Sequence, residues 1–302
     1  MLILHDPRCV EYTTPGHPER PQRISATLPL LKKNHPDWHW RWPSPTNIDS
    51  LVRAHSREHV QHVEKSVQEF DADTPAYPNI YNHALGSAGA AIAAGRAALR
   101  GERAFSFMRP PGHHATRNRA MGFCYFNNVA VTALDALENG AERIGIWDFD
   151  AHHGNGTEDI VANDARIVFA SVHQSPAYPG TGLTSFANIH NFPMRPYTRR
   201  SEHMSAVEQA LQKLLEFKPD LLLVSAGFDA FRADPITQMM LEPEDFAMFG
   251  KWLRQSRVRA AAILEGGYSE HLPQLVDAFL TSWAGDEKAR QGGNAAALSV
   301  AL

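Results

Sequence analysis

The sequence predicts an α/β fold built on a central, mainly parallel sheet, and three observations carry that reading. Short, near-continuously apolar runs recur along the chain, which suits strands covered on both faces. Helical patterns fall between them. Each run also leads into a polar or glycine-rich loop. With 302 residues, 43% of them hydrophobic, there is enough material for one large core. We expect a single domain over 1–285 and a tail at 286–302 with little structure of its own.

In chain order, an Ala-rich helical segment at 84–99 precedes the first run, RAFSFM at 103–108. A second helix begins at Asn127 in NNVAVTALDALENG, and RIGIWDFD at 143–150 and RIVFASVH at 166–173 supply two more strands. A helix at 202–217 stops before Pro219, where the ring cannot continue it. DLLLVSAG at 220–227 and AAAILEGG at 260–267 complete the strands, and a last helix closes the domain near Trp283.

The formal net charge of -4, from 29 basic and 33 acidic residues, gives no general electrostatic reason to bind nucleic acid or an anionic membrane. The opening MLILHDPRCVEYT is too short an apolar run for a signal peptide and lacks a basic lead. No later stretch reaches the roughly 18 apolar residues of a membrane span. Two cysteines, Cys9 and Cys124, are too few for a disulfide framework, so we expect a cytoplasmic protein. Cys124 reads as a small buried neighbour rather than a nucleophile.

The loops after the strands read RPPGHH, DAHHGNG, SVHQSPAYPGTG, GFDAFRADP and GGY. In an open parallel sheet they gather along the carboxyl edge, so they predict one cleft. Residues two apart at a strand end share a face, which would align Asp148, Asp150 and His152 if the extended geometry persisted. With Asp229 from the fourth loop, Asp150 and His152 could hold one divalent ion and leave room for water. An isolated D-x-H is better explained by strand-end caps and a buried histidine. Convergence of the other loops favours the metal, whose identity composition leaves open.

Asp148 then suits a hydrogen bond to His113 or His114, fixing that ring's tautomer. One of the two histidines can act as general base toward an activated water while the other supports developing charge. Solvation or helix capping would also explain them. Tyr268, after Gly266 and Gly267, can donate a hydrogen bond to a polarised carbonyl oxygen; a ring packed under a loop is the plain alternative.

Together, HPERPQRI from His17, RPPGHHA from Arg109, GFCYFNNVA from Gly122, WDFDAHHGNGTEDI from Trp147, SVHQSPAYPGTG from Ser171, SAGFDAFRADP from Ser225 and EGGY from Glu265 resemble the histone deacetylase family. The resemblance implies the three-layer arginase/deacetylase fold and a zinc-dependent amidohydrolase that removes an acyl group from an amine, with 1–285 as its catalytic domain. It implies zinc on Asp150, His152 and Asp229, His114 as general base and then acid, and His113 paired with Asp148. Tyr268 would bind the carbonyl oxygen. It further suggests potassium near Asp148, Asp150, His152, Ser171 and Val172.

Asn155, where many members have Asp, is similar to the class II branch, and an amide there still orients His114 without pairing its proton with a charge. The chain thus resembles a bacterial class II-like deacetylase. Arginase relatives with two manganese ions need further carboxylates, whereas two residues after His152 stands Gly154 and two after Asp229 stands Phe231.

By the same resemblance Gly122 and Phe123, opposite Tyr178 with Pro179 beside it, would sandwich the aliphatic stem of acyl-lysine. Arg23 would mark the inner end of an acetate-release channel; a surface ion pair is the alternative. His17, His173 and His190 read as structural or rim residues. The expected partner is an acyl-lysine peptide or protein, with an acetylpolyamine, or another small acylated amine, as the rival substrate. By the resemblance, polyamine-selective relatives present an acidic gate where this chain has Ile236, although Glu19, Glu58 or Asp71, or a partner in a homo-oligomer, could supply charge. A noncatalytic module that reuses the fold is argued against by the intact ligand set, both histidines and Tyr268.

Overall fold

The computed structural model describes residues 1–285, so the tail expected at 286–302 lies outside the described residues. The strands in chain order are β1 (Leu2–Leu4), β2 (His39–Arg41), β3 (Ala104–Ser106), β4 (Ile144–Asp148), β5 (Ile167–Gln174), β6 (Ile189–Met194), β7 (Leu221–Ala226) and β8 (Ala260–Leu264). They form one sheet in the order β2-β1-β3-β8-β7-β4-β5-β6, and every pairing is parallel. The five apolar runs of the sequence are β3, β4, β5, β7 and β8, each fully buried.

The expectation missed β1, β2 and β6. β1 and β2 have three residues each, too few to show a pattern, and both residues flanking Trp40 in β2 are exposed. β6 carries Pro193 and lies at the sheet edge, where a missing N–H costs no ladder bond.

Helices cover both faces. The helix Ile80–Leu99 brings Gly95 against Thr132 and Leu223, and its many small residues allow that close approach. Ile146 pairs in register with Leu223, so its neighbour Trp147 points the other way. There it meets Phe249 of the helix Pro243–Ser256, at 6.0 Å between rings. That helix starts at a reciprocal cap between Glu242 and Asp245. It packs against the closing helix Leu272–Ala284, while Arg200–Glu216 is the helix expected at 202–217. Asn127 caps the helix Asn128–Glu138 by accepting from the Ala130 N–H. Among the described residues, no helix is long and apolar enough to cross a membrane.

Candidate active site

Extended geometry ends at Asp148, the last residue of β4, so the alternation expected to align Asp148, Asp150 and His152 does not hold. Two side-chain-to-backbone bonds replace it. Asp148 Oδ1 accepts from the Asp150 N–H at 3.1 Å, and Asp150 Oδ1 accepts from the His152 N–H at 2.9 Å. Such i to i+2 bonds are the turn-forming habit of aspartate. They bend the chain while keeping the three side chains together.

Asp229 arrives from the end of β7, with Oδ1 accepting from the Ala151 N–H at 2.8 Å. The His152 Nδ1 lies 2.8 Å from Asp229 Oδ2 and 3.2 Å from Asp150 Oδ1. One donor atom from each of Asp150, His152 and Asp229 lies within 4.8 Å of the others, and all three residues are buried. Gly266 donates its N–H to Asp150 Oδ2 at 2.7 Å, and a Cβ on Gly266 would run into both carboxylates. Only glycine fits there.

Burial opposes the charged form of Asp150, yet His113 and His152 hold its carboxyl well below the usual range. Burial likewise opposes a charged His152, and Asp229 and Asp150 outweigh it. Two buried carboxylates and an imidazole, each carboxylate already oriented by a backbone N–H, fit a divalent ion such as zinc. Among the described residues one ligand group gathers here, and the positions two after His152 and Asp229 add no carboxylate: Gly154 lies against Asp148, and the Phe231 ring packs on His271.

His113 Nδ1 meets Asp148 Oδ2 at 3.0 Å. Burial disfavours charge on this ring, but Asp150 and Asp148 prevail and raise its pKa to about 10. His114 is the opposite case. Burial, then His113 and His152, hold it well below the ordinary value. Its Nδ1 lies 2.8 Å from Asn155 Oδ1, which can only accept, so the proton sits on Nδ1 and Nε2 keeps a lone pair. Glu265 fixes the loop carrying both rings, Oε2 accepting from Gly112 at 2.7 Å and His113 at 3.1 Å.

His114, His152 and Tyr268 open onto a cavity of about 340 Å³ whose lining includes Phe123, Tyr178, His17, Asp73 and Ile236. Gly122 and Phe123 both have positive φ, 57° and 68°, in a tight turn closed by Met121 and Cys124. A Cβ on Gly122 would lie 2.6 Å from the His114 ring. The turn directs Phe123 toward His17, at 4.7 Å, and Tyr268, at 5.8 Å between rings. Tyr178 stands edge-on to His114 at 5.1 Å.

A histone deacetylase domain profile matches residues 17–283. The chain belongs to the histone deacetylase family. A probable deacetylase of Methanothermobacter thermautotrophicus is 36% identical, with 95% of this chain and 92% of that protein covered. The acetylpolyamine amidohydrolase 2 of Pseudomonas aeruginosa is 32% identical, over 76% of this chain and 66% of that one. The crystal structure of the HDA15 HD domain superposes with a TM-score of 0.89 at 28% identity, covering 96% and 92% of the two chains. This deacetylase-family chain is therefore a hydrolytic enzyme of the deacetylase and amidohydrolase type.

Other expected residues of the deacetylase-family site lie farther out. Pro179 is half-buried and outside the cavity lining. Arg23 is buried rather than in a surface ion pair. It donates from Nε to the Gly267 carbonyl at 2.8 Å, pairs with Glu19 at 3.2 Å, and lies 4.9 Å from the Tyr268 ring. It lines a second cavity of about 290 Å³ on that side of the phenol. Ser171 stands in register with Asp148, next to Val172, and its Oγ is 2.9 Å from His173 Nδ1.

Of the acidic residues considered for the mouth, Glu19 is committed to Arg109, at 2.7 Å, and to Arg23. Glu58 is exposed on the helix Arg57–Lys65. Asp71 accepts from the Gly122 N–H at 3.2 Å. The carboxylate on the lining is Asp73, which the sequence motifs do not single out. Burial and Asp71 lift its pKa to about 6. Its signal was the FDADTP run, an acidic turn with nothing to say where it folds. Asp234 and Glu265 also join the site without a role expected from the sequence, although both stand inside the motifs that carry the resemblance.

Proposed function

We propose that the chain is a zinc-dependent amidohydrolase that removes acetyl or other acyl groups from Nε-acyl-lysine in peptides or proteins. The observation that carries this reading is one cavity onto which His114, His152 and Tyr268 open between aromatic walls. Asp150, His152 and Asp229 would hold the ion. When bound, zinc supplies Lewis acidity that polarises an amide carbonyl and acidifies water.

The chain's own residues do the rest. His114, its Nδ1–H held by Asn155, removes a proton from the attacking water at Nε2 and returns it to the departing amine. His113, paired with Asp148, keeps positive charge beside the reacting carbonyl. The Tyr268 hydroxyl donates to the carbonyl oxygen as negative charge grows there. Phe123 and Tyr178 bracket the aliphatic stem. Potassium beside Asp148, Asp150, His152, Ser171 and Val172, a cytoplasmic location and possible self-association belong to the same reading.

One observation supports acetylpolyamines as a second reading: Asp73 gives the lining a carboxylate that a cationic chain could meet. Ile236, half-buried on the same lining, offers no charge. A matched panel of acyl-lysine peptides and acetylpolyamines on the zinc-loaded protein separates the two. We expect the higher kcat/KM on peptides; a strong preference for acetylpolyamines would overturn the peptide reading.

A further inference from the structure

We propose that Asp234 is a positioning residue for Tyr268, tying the segment that carries the phenol to the loop that carries Ile236. The proposal rests on the role given to Tyr268 above. Asp234 is buried, at 6% exposure, and both its oxygens are engaged. Oδ2 accepts from the Tyr268 N–H at 2.8 Å, and Oδ1 accepts from the Ile236 N–H at 3.1 Å.

The segment it holds is fixed by hydrogen bonds along its length rather than by packed side chains. Glu265, Gly266, Gly267 and Tyr268 leave β8 and bond in turn to different parts of the chain. Glu265 takes the histidine loop, Gly266 reaches Asp150, and the Gly267 carbonyl accepts from Arg23. The two glycines have no side chain to pack, and Gly267 has φ 115°, a conformation open mainly to glycine. The direction in which Tyr268 leaves the backbone is therefore set by hydrogen bonds, of which the one to Asp234 acts at Tyr268 itself.

Asp234 is in turn held from behind. Its own N–H donates to the Phe231 carbonyl at 2.9 Å, and the Thr237 hydroxyl donates to the Asp229 carbonyl. The 229–237 loop thus closes on the residue that supplies a metal donor. Asp234 projects from that closed loop toward the phenol-bearing segment, so Tyr268 is referenced to the same backbone as Asp229.

Two N–H donors converging on one carboxylate specify the chemistry of the position. Asparagine has the same size but only one accepting oxygen, so its NH2 would face one of the two N–H groups. Asp234→Asn is therefore a mild change in volume and a sharp one in hydrogen bonding.

The test compares wild type, Asp234→Asn, Tyr268→Phe and the double variant on an acetyl-lysine peptide, with zinc content and amide hydrogen exchange measured alongside. Asp234→Asn should lower kcat roughly 10- to 100-fold with KM within about 2-fold, as a displaced but intact group does. It should retain its zinc and speed exchange at the Tyr268 amide. Once the hydroxyl is gone, the Asp234→Asn penalty should shrink to less than about 3-fold, because both changes act through one group. Near-normal turnover in Asp234→Asn, unchanged exchange at Tyr268, or an equal penalty in both backgrounds overturns the proposal. If Tyr268→Phe itself turns over normally, the role of Tyr268 fails and Asp234 falls with it. A slow Tyr268→Phe beside a fast Asp234→Asn sinks Asp234 alone. Should Asp234→Asn not fold, Asp234→Glu keeps the charge, shifts it by one methylene and is read through the same cycle.

Discussion

The donor set and the mouth of the cavity are built by different means. Asp148, Asp150, His152 and Asp229 stand at or just past the ends of neighbouring strands β4 and β7, and backbone N–H groups of Asp150, Ala151, His152 and Gly266 orient the carboxylates. The mouth draws His17, Asp73, Phe123, Tyr178 and Ile236 from five separate loops. Their anchors are side chains. Arg109 is fully buried and clamps Glu19 and the Cys9 carbonyl behind His17, while Asp71 and Thr74 accept from and so fix the Gly122 and Phe123 amides. On the proposed function, chemistry falls beside the strand-end donors and selection at the mouth, so substitutions in the two regions should fail differently.

The largest expected effect lies beside the donor set, at a histidine of the loop that follows β3. His114→Ala removes the imidazole whose Nε2 is left free by Asn155 and should cut kcat by about 10²- to 10⁴-fold, the range of a general base. Zinc content should stay near one per chain, because His114 is not in the donor set. Metal analysis beside steady-state kinetics checks both halves; a variant that lost its zinc would move His114 into the ligand shell.

At the mouth the effect should be small and should appear as a ratio. Ile236→Glu adds a carboxylate at a half-buried position on the lining that also holds Asp73. A partly exposed ion pair is worth roughly 0.2 to 1 kcal/mol, so acetylpolyamine turnover should gain about 1.4- to 5-fold relative to acetyl-lysine peptide. Measuring kcat/KM for both substrates tests it. An unchanged ratio would put the gate elsewhere on the mouth.

The same contrast explains what could be read in the sequence. Central strands buried on both faces leave long apolar runs, and the donors follow them directly, so β4 with Asp150 and β7 with Asp229 were legible. The helix Asn128–Glu138 was legible from the helical pattern that begins at Asn127. Three-residue strands such as β1 and β2 leave no period to detect. Asp73 lies on the lining because the 70–74 segment folds against the turn at Gly122, a long-range contact that no local pattern encodes. Phe123 adopts a positive φ that its residue type does not suggest. Asp234 and Glu265 act by accepting backbone N–H bonds from remote segments, which spacing cannot reveal.

Central to this account is a single divalent ion held by Asp150, His152 and Asp229. Its most direct test is an anomalous-difference map of crystals of the zinc-loaded protein, recorded on both sides of the zinc edge. The account predicts one edge-dependent peak per chain, within bonding distance of those three residues, with any potassium appearing as a separate site that lacks the zinc edge. Two adjacent, fully occupied zinc peaks, or a zinc peak away from these side chains, would contradict it.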